Sequence, residues 1–274
     1  NGSARDVSIY APSGLTVRES VQTLNTNYSG SYVRPLDGLT DDRISAIALS
    51  AHRGYQPMGP ENSLASFRAA AELGFDYIET DIYMTTDKQL VCIHDATIDR
   101  TYNGSGNVID MSLEQLQQYR IDVVKSNYGC PPISSFTDEE LTIPTFQQYL
   151  QICKDSGSKA FLELKDFREG VTEAIIDMAL QYLPPEDIVI SVSNLEEVQK
   201  AYQYAHNTLK VDLFYHLIWG VQTDSGYNNS IAELAKLTKV GSDEVCAGIA
   251  FNINDLADEG NYNKATSWIT KADR

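Results

Sequence analysis

Two carboxylates stand two residues apart in Tyr77-Ile78-Glu79-Thr80-Asp81-Ile82. Read as a strand, the run puts Glu79 and Asp81 on one face and Ile78 and Ile82 on the other. Acids this close in apolar surroundings cannot both ionise cheaply unless a cation joins them. Phe161-Leu162-Glu163-Leu164-Lys165 repeats the theme, with Glu163 and Lys165 sharing a face. Three carboxylates at strand ends form an all-oxygen site suited to Mg²⁺ or Ca²⁺ rather than zinc. Lys165 and Arg53 could instead neutralise the same acids, so a plain salt-bridge network stays open as the alternative. His52, in Ala51-His52-Arg53-Gly54, closes the preceding apolar run, and His94 follows the next one. Histidine titrates near neutrality and can exchange protons with an attacking and a leaving oxygen, while Arg53 can fork onto a phosphate. His206 reads as solvated at a polar helix end, and His216, after an apolar run, could border a pocket.

The elements that must position these residues are legible in outline. Strand-like apolar runs lie at 44–51, 77–82, 160–164, 188–192, 209–215 and 245–253. A helix over 64–73 follows Asn62-Ser63, with Asn62 read as its cap, and stops at Gly74. Another over 145–156 has Thr145 and Gln148 in capping-box spacing and stops at Gly157. Strands alternating with helices imply right-handed βαβ units and a parallel sheet, and their number points to a TIM-type (β/α)₈ barrel. Only Tyr83–Gln89 separates Ile82 from Leu90, too few residues for a parallel crossover of about a dozen. These two runs must form an antiparallel hairpin, and a turn centred near Asp87 brings His94 back opposite Asp81. Residues 1–43 read as a partly irregular N-terminal extension, with a strand at 7–10, a helix at 17–24 and a linker-like 28–32. Residues 44–274 are the expected barrel, ending in a helix over 262–272.

Composition narrows the partners. The 274 residues carry 21 Lys+Arg against 38 Asp+Glu, a net charge of −17, with 42% hydrophobic residues. Nucleic acid and anionic membrane surfaces are excluded as main partners, because both are held by clustered Lys and Arg. No apolar run approaches the roughly 18–20 residues of a membrane span, so stable insertion is not expected. Cys92, Cys130, Cys153 and Cys246 are scattered, which reads as buried thiols rather than a zinc site or disulfide frame. The opening Asn1-Gly2-Ser3 reads as a processed or trimmed product. The 16 tyrosines and Asn-rich loops lean towards an exported protein, periplasmic or in the cell envelope, with the cytoplasm as the alternative.

An ordered chain of motifs runs through the middle of the sequence: His52-Arg53-Gly54, Pro60-Glu61-Asn62-Ser63, Glu79-Thr80-Asp81, His94-Asp95 and Asp99-Arg100-Thr101. Asn103-Gly104-Ser105-Gly106, Ile143-Pro144-Thr145 and Glu163-Leu164-Lys165 follow in order. This series resembles the glycerophosphodiester phosphodiesterase family, closely over residues 46–166 and loosely over 167–274. The resemblance implies a TIM-barrel, metal-dependent phosphodiesterase that releases sn-glycerol 3-phosphate and an alcohol from a small-molecule glycerophosphodiester. It implies His52 and His94 as the acid/base pair, and Glu79, Asp81 and Glu163 as ligands of one divalent cation, Mg²⁺ or Ca²⁺. Arg53 and Lys165 would contact the phosphate, with Glu61 and Asn62 in the substrate-binding loop. Residues 96–141 would form the small insertion after the second strand's hairpin, over the barrel mouth. Two departures stand out. Tyr102 replaces a usual Thr, read as a neutral loop change, and the family's two closing strands have no counterpart, so the last two barrel strands are expected to be missing from this chain. The rival readings are a phospholipase C/D-like phosphodiesterase of the same barrel type and a catalytically inactive binding barrel. The presence of both His52 and His94 weighs against the second.

Overall fold

The computed structural model describes residues 48–125 and 129–218, together with the strand backbones at 239–240, 243–244 and 247–249. The expected elements at 7–10, 17–24, 28–32 and 262–272, the first half of the 44–51 run, Cys246 and the closing strands fall outside the described residues. The chain divides into two compact units that meet in sequence between Ile188 and Val189.

The first unit is built on strands β1 (Ser50–Ala51), β2 (Tyr77–Met84), β3 (Leu90–Cys92) and β4 (Lys159–Leu164). β1 and β4 flank β2 in parallel, and β3 pairs with β2 antiparallel. The expected hairpin therefore forms. Its turn is held by Thr85 Oγ1 donating to Asp87 Oδ1 at 2.5 Å, with Lys88 left-handed at φ 61°. The register pairs Ile82 with Cys92. Carried onward it sets Ile93 opposite Asp81, and Ile93 N donates to Asp81 O at 3.0 Å. His94 thus lies one residue beyond its expected place. The turn is centred on Asp87, from which Asp81 and Ile93 are equally distant and His94 is not.

Helix α1 (Leu64–Glu72) follows the loop after β1, and α2 (Phe146–Ser156) precedes β4. The cap of α1 is Ser63, not Asn62: Ser63 accepts from Ser66 N in a reciprocal box, leaving the Asn62 amide for other work. α2 has the expected Thr145–Gln148 box and ends on Gly157 at φ 74°. Phe67 of α1 meets Tyr149 of α2 edge to face at 5.0 Å, and Tyr149 Oη donates to Ile78 O at 2.6 Å. These contacts pin the back of β2 while its other face carries the acids. α3 (Val171–Tyr182) follows β4.

The 96–141 segment has a small core of its own, seated on Val91 and Ile93: Ile98, Tyr102, Val108, Leu116, Ile121 and Leu141 are buried together. Tyr102 is therefore a packing residue and not a neutral loop change, since a threonine there would leave a ring-sized void. Cys92, Cys130 and Cys153 are buried free thiols, as expected.

In the second unit β5 (Ile188–Val192), β6 (Phe214–Leu217) and β9 (Ala247–Ile249) run parallel, with a separate hairpin of β7 (Lys239–Val240) and β8 (Asp243–Glu244). α4 (Leu195–Tyr202) continues as π-type turns over Gln203–Leu209, stopped by left-handed Lys210. The expected strand at 209–215 is therefore displaced. Its first residues close the helix, and pairing begins only at Phe214.

Candidate active site

The parallel register sets Asp81 beside Glu163, and Glu79 lies two residues back on the same face of β2. Ligand oxygens of the three carboxylates all lie within 4.8 Å of one another. Glu79 and Asp81 are 4% and 0% exposed, and Glu79 Oε1 and Asp81 Oδ1 accept no hydrogen bond. Burial, then the charges of Asp81 and Glu163, push the Glu79 carboxyl well above the usual range. Glu163 is raised by burial and by Asp81. Buried carboxylate oxygens without a hydrogen bond, converging at this spacing, fit a hard divalent cation, which would remove the mutual repulsion.

Cations crowd the cluster without satisfying it. Arg53 sits left-handed at φ 57°, its N donating to Glu79 Oε2 at 2.6 Å and its Nε 3.4 Å from Asp81 Oδ2. Lys165 Nζ bonds Glu163 Oε1 and lies 3.3 Å from Asp81 Oδ1. Half-burial pulls the Lys165 ammonium down, yet Asp81 and Glu163 more than offset it and hold its pKa above the ordinary value. A salt-bridge network thus exists, but it is incomplete: among the described residues Glu79 forms no ion pair. Asn62, also left-handed at φ 49°, donates from Nδ2 to Asp81 Oδ2 at 2.8 Å and accepts from Thr80 Oγ1 at 2.9 Å. It orients a carboxylate from a buried position.

His52 follows β1 directly and is exposed to solvent. Desolvation and then the Arg53 charge press it down to about 4, against the pull of Asp81, so at neutral pH the ring is an uncharged proton acceptor. His94 follows β3, close enough for its charge to bear on His52 and Glu163. Its Nδ1 lies 2.6 Å from Asp95 Oδ1. Arg100 grips Asp95 through Nε at 2.6 Å and Glu61 through NH1 and NH2 at 3.0 and 2.7 Å. Glu61 also takes Arg53 NH1 at 3.0 Å. Against desolvation, Arg100, Arg53 and Lys125 hold Glu61 down to about 2.

The sequence-derived candidates His52, Arg53, Glu61, Asn62, Glu79, Asp81, His94, Glu163 and Lys165 therefore all belong to the first unit. His206 and His216 lie in the second: His206 Nδ1 meets Asp212 at 2.6 Å, and His216 Nδ1 meets Ser191 Oγ at 2.9 Å. Sequence reasoning gave no role to Thr80, Asp95 or Arg100. Thr80 is signalled only by its place between the two acids. The adjacent acid after His94 and an arginine five residues beyond Asp95 are the signals for the others.

The glycerophosphoryl diester phosphodiesterase family model matches residues 52–216. A glycerophosphodiester phosphodiesterase of Caldanaerobacter subterraneus subsp. tengcongensis is 34% identical over 60% of this chain and 65% of its own length. Human glycerophosphodiester phosphodiesterase 1 is 36% identical over 52% of this chain and 40% of its own. The chain thus spans less than two thirds of either relative. Among solved structures, an Oleispira antarctica phosphodiesterase in complex with the product sn-glycerol-3-phosphate aligns with TM-score 0.58 at 20% identity, covering 81% of this chain and 90% of that one. A Thermotoga maritima glycerophosphodiester phosphodiesterase aligns with TM-score 0.57 at 16% identity, covering 82% and 83%. Both likenesses give the fold as the TIM-type α/β class. With the family model matched from His52 through His216, across every motif that supplies the acid cluster, the chain belongs to the glycerophosphoryl diester phosphodiesterase family.

Proposed function

We propose that this chain hydrolyses glycerophosphodiesters to sn-glycerol 3-phosphate and an alcohol, using one divalent cation, Mg²⁺ or Ca²⁺, held by Glu79, Asp81 and Glu163. The observation that carries the reading is the carboxylate cluster itself: three acids within 4.8 Å, two with buried oxygens that accept no hydrogen bond, beside two histidines. Membership of the family supports the reaction class, and the product held by the Oleispira relative supports the glycerol phosphate half. A cation bound there would withdraw charge from the non-bridging phosphate oxygens.

The chain's own residues do the rest. Arg53 and Lys165, already at the cluster, exchange part of their carboxylate contacts for the anionic phosphate. One of His52 and His94 takes a proton from the attacking water as its oxygen bonds to phosphorus. The other gives a proton to the leaving alkoxide as the P–O bond breaks, so one water is consumed. Such proton transfer contributes about 10²–10⁴-fold, which leaves the larger share to charge stabilisation. The net −17 does not oppose an anionic substrate, because local charge decides binding, and Arg53 and Lys165 stand at the cluster.

Glycerophosphocholine offered with and without EDTA tests this directly. The expected result is glycerol 3-phosphate released, abolished by EDTA and restored by added Mg²⁺ or Ca²⁺. EDTA-insensitive release would remove the cation from the reading. Choline phosphate as product would place cleavage on the other P–O bond, and no turnover with either metal would favour a binding barrel.

A further inference from the structure

We infer that Asp95 and Arg100 are positioning residues for His94: Asp95 fixes the imidazole with its proton on Nδ1, and Arg100 fixes Asp95 by anchoring it to Glu61. The inference rests on the reading of His94 as a proton-exchanging group and adds how that group is held. The geometry is continuous. His94 Nδ1 lies 2.6 Å from Asp95 Oδ1, short enough for a charge-assisted bond. Asp95 Oδ2 accepts from Arg100 Nε at 2.6 Å, and Asp95 Oδ1 from Arg100 NH2 at 3.2 Å. The remaining edge of the guanidinium forks onto both oxygens of Glu61. One planar group therefore ties the segment after β3 to the loop after β1.

Three consequences follow for His94. A carboxylate accepts and never donates when ionised, so its partner nitrogen must carry the proton in either charge state of the ring. The Arg100 bond, before the His94 bond, keeps Asp95 at about 2, so it remains an acceptor throughout the neutral range. The exchanging nitrogen is then Nε2, and the same carboxylate stabilises the imidazolium when Nε2 is protonated. The ring also follows β3 by a single residue beyond Ile93, outside the strand ladder, so backbone pairing alone does not hold it.

The test reads the imidazole as well as turnover. Side-chain ¹⁵N–¹H spectra of the cation-loaded protein, with the His94 signals assigned by their loss in His94→Ala, should show the Nδ1–H tautomer in the wild type. Asp95→Asn should shift the ring towards the Nε2–H form and lower kcat by about 10²–10⁴-fold with KM nearly unchanged. Asp95→Glu should recover part of both signals. Arg100→Gln should lower kcat by about 10–100-fold and broaden the tautomer signal. An unchanged Nδ1–H signal in Asp95→Asn would overturn the inference, as would a loss of kcat with the tautomer intact. The hydrolytic reading fails separately: wild-type turnover in His94→Ala would remove His94 from the reaction whatever its tautomer.

Discussion

The strand-borne acids and the loop-borne ion pairs of the first unit are built from the same residue types with opposite outcomes. Glu79, Asp81 and Glu163 stand on β2 and β4, the first two buried and the third partly so, mutually repelling, with Glu79 Oε1 and Asp81 Oδ1 accepting no hydrogen bond. Glu61 and Asp95 stand on connecting segments, and each is held by a forked arginine. Glu79 is pushed up by burial and like charge, whereas Asp95 and Glu61 are drawn down to about 2. An incomplete charge pattern on rigid strands is a place to bind something. A completed one on loops holds its neighbours still. On the proposed reading the difference puts the ligand on the strands and the support on the loops.

The hardest test of that division is Glu79→Gln. Calorimetric titration of Mg²⁺ or Ca²⁺ should show binding weakened by at least about 10²-fold, and glycerol 3-phosphate release should fall further still. Equal affinity in variant and wild type would return the cluster to an ordinary salt-bridge network. Next come the histidines. His52→Ala and His94→Ala should each lower kcat by about 10²–10⁴-fold, or roughly 3–5 kcal/mol of barrier, with metal affinity retained. A p-nitrophenyl ester needs little leaving-group protonation, so it should rescue only the variant lacking the general acid. Rescue of both would mean that the division of labour is wrong. Asn62→Ala comes third: it frees Asp81 Oδ2 without removing a carboxylate, and should weaken metal binding by about 10–100-fold. No change would reduce Asn62 to a packing residue.

The smallest effect is on stability, and its sign separates the two regions. Glu79 and Glu163 have folded-state values raised above 4.5. Folding therefore gains from their protonation below about pH 4.5, and that gain is lost as pH rises through their folded values. Glu61 and Asp95 are depressed from 4.5 and 3.8 to about 2, so their contribution is present above those values and lost as pH falls towards 2. Metal-free Glu79→Gln should thus melt a few degrees higher than wild type at neutral pH, at about 2–4 °C per kcal/mol. Saturating cation should raise the wild-type Tm more at neutral than at mildly acidic pH. A lower Tm for metal-free Glu79→Gln at neutral pH would show that the carboxylate is not under strain.

The strand half of this picture is the half legible in the sequence. Period-two spacing puts Glu79 with Asp81, and the seven residues from Tyr83 to Gln89 force a hairpin by chain length alone. The helix ends at Gly74 and Gly157 are equally local signals. What escapes is whatever depends on a single residue of register or on distant pairing. His94 falls one place beyond Asp81, because alternation tells face but not offset. Asn62 and Ser63 are both good caps, and only the buried Asp81 decides which one is diverted. Arg100 meets Glu61 across 39 positions of sequence, a separation that no local pattern encodes.

The loop between Arg53 and Asn62 begins and ends on left-handed residues, and Asn62 N donates to Arg53 O at 3.0 Å. Its two ends are therefore clasped, and the closure entropy of the segment is already met at its base. Within it, Gly59 lies so close to α1 that a Cβ would fall 2.4 Å from Ser66 N, while Met58 is 49% exposed. Evolutionary drift thus has a narrow window here. Residue type and even length can vary around Met58 without displacing Arg53 or Asn62, whereas a side chain at Gly59 would lever the loop off its helix. A randomised library over Pro57 and Met58 should retain foldable members at high frequency, and one over Gly59 should keep little besides glycine.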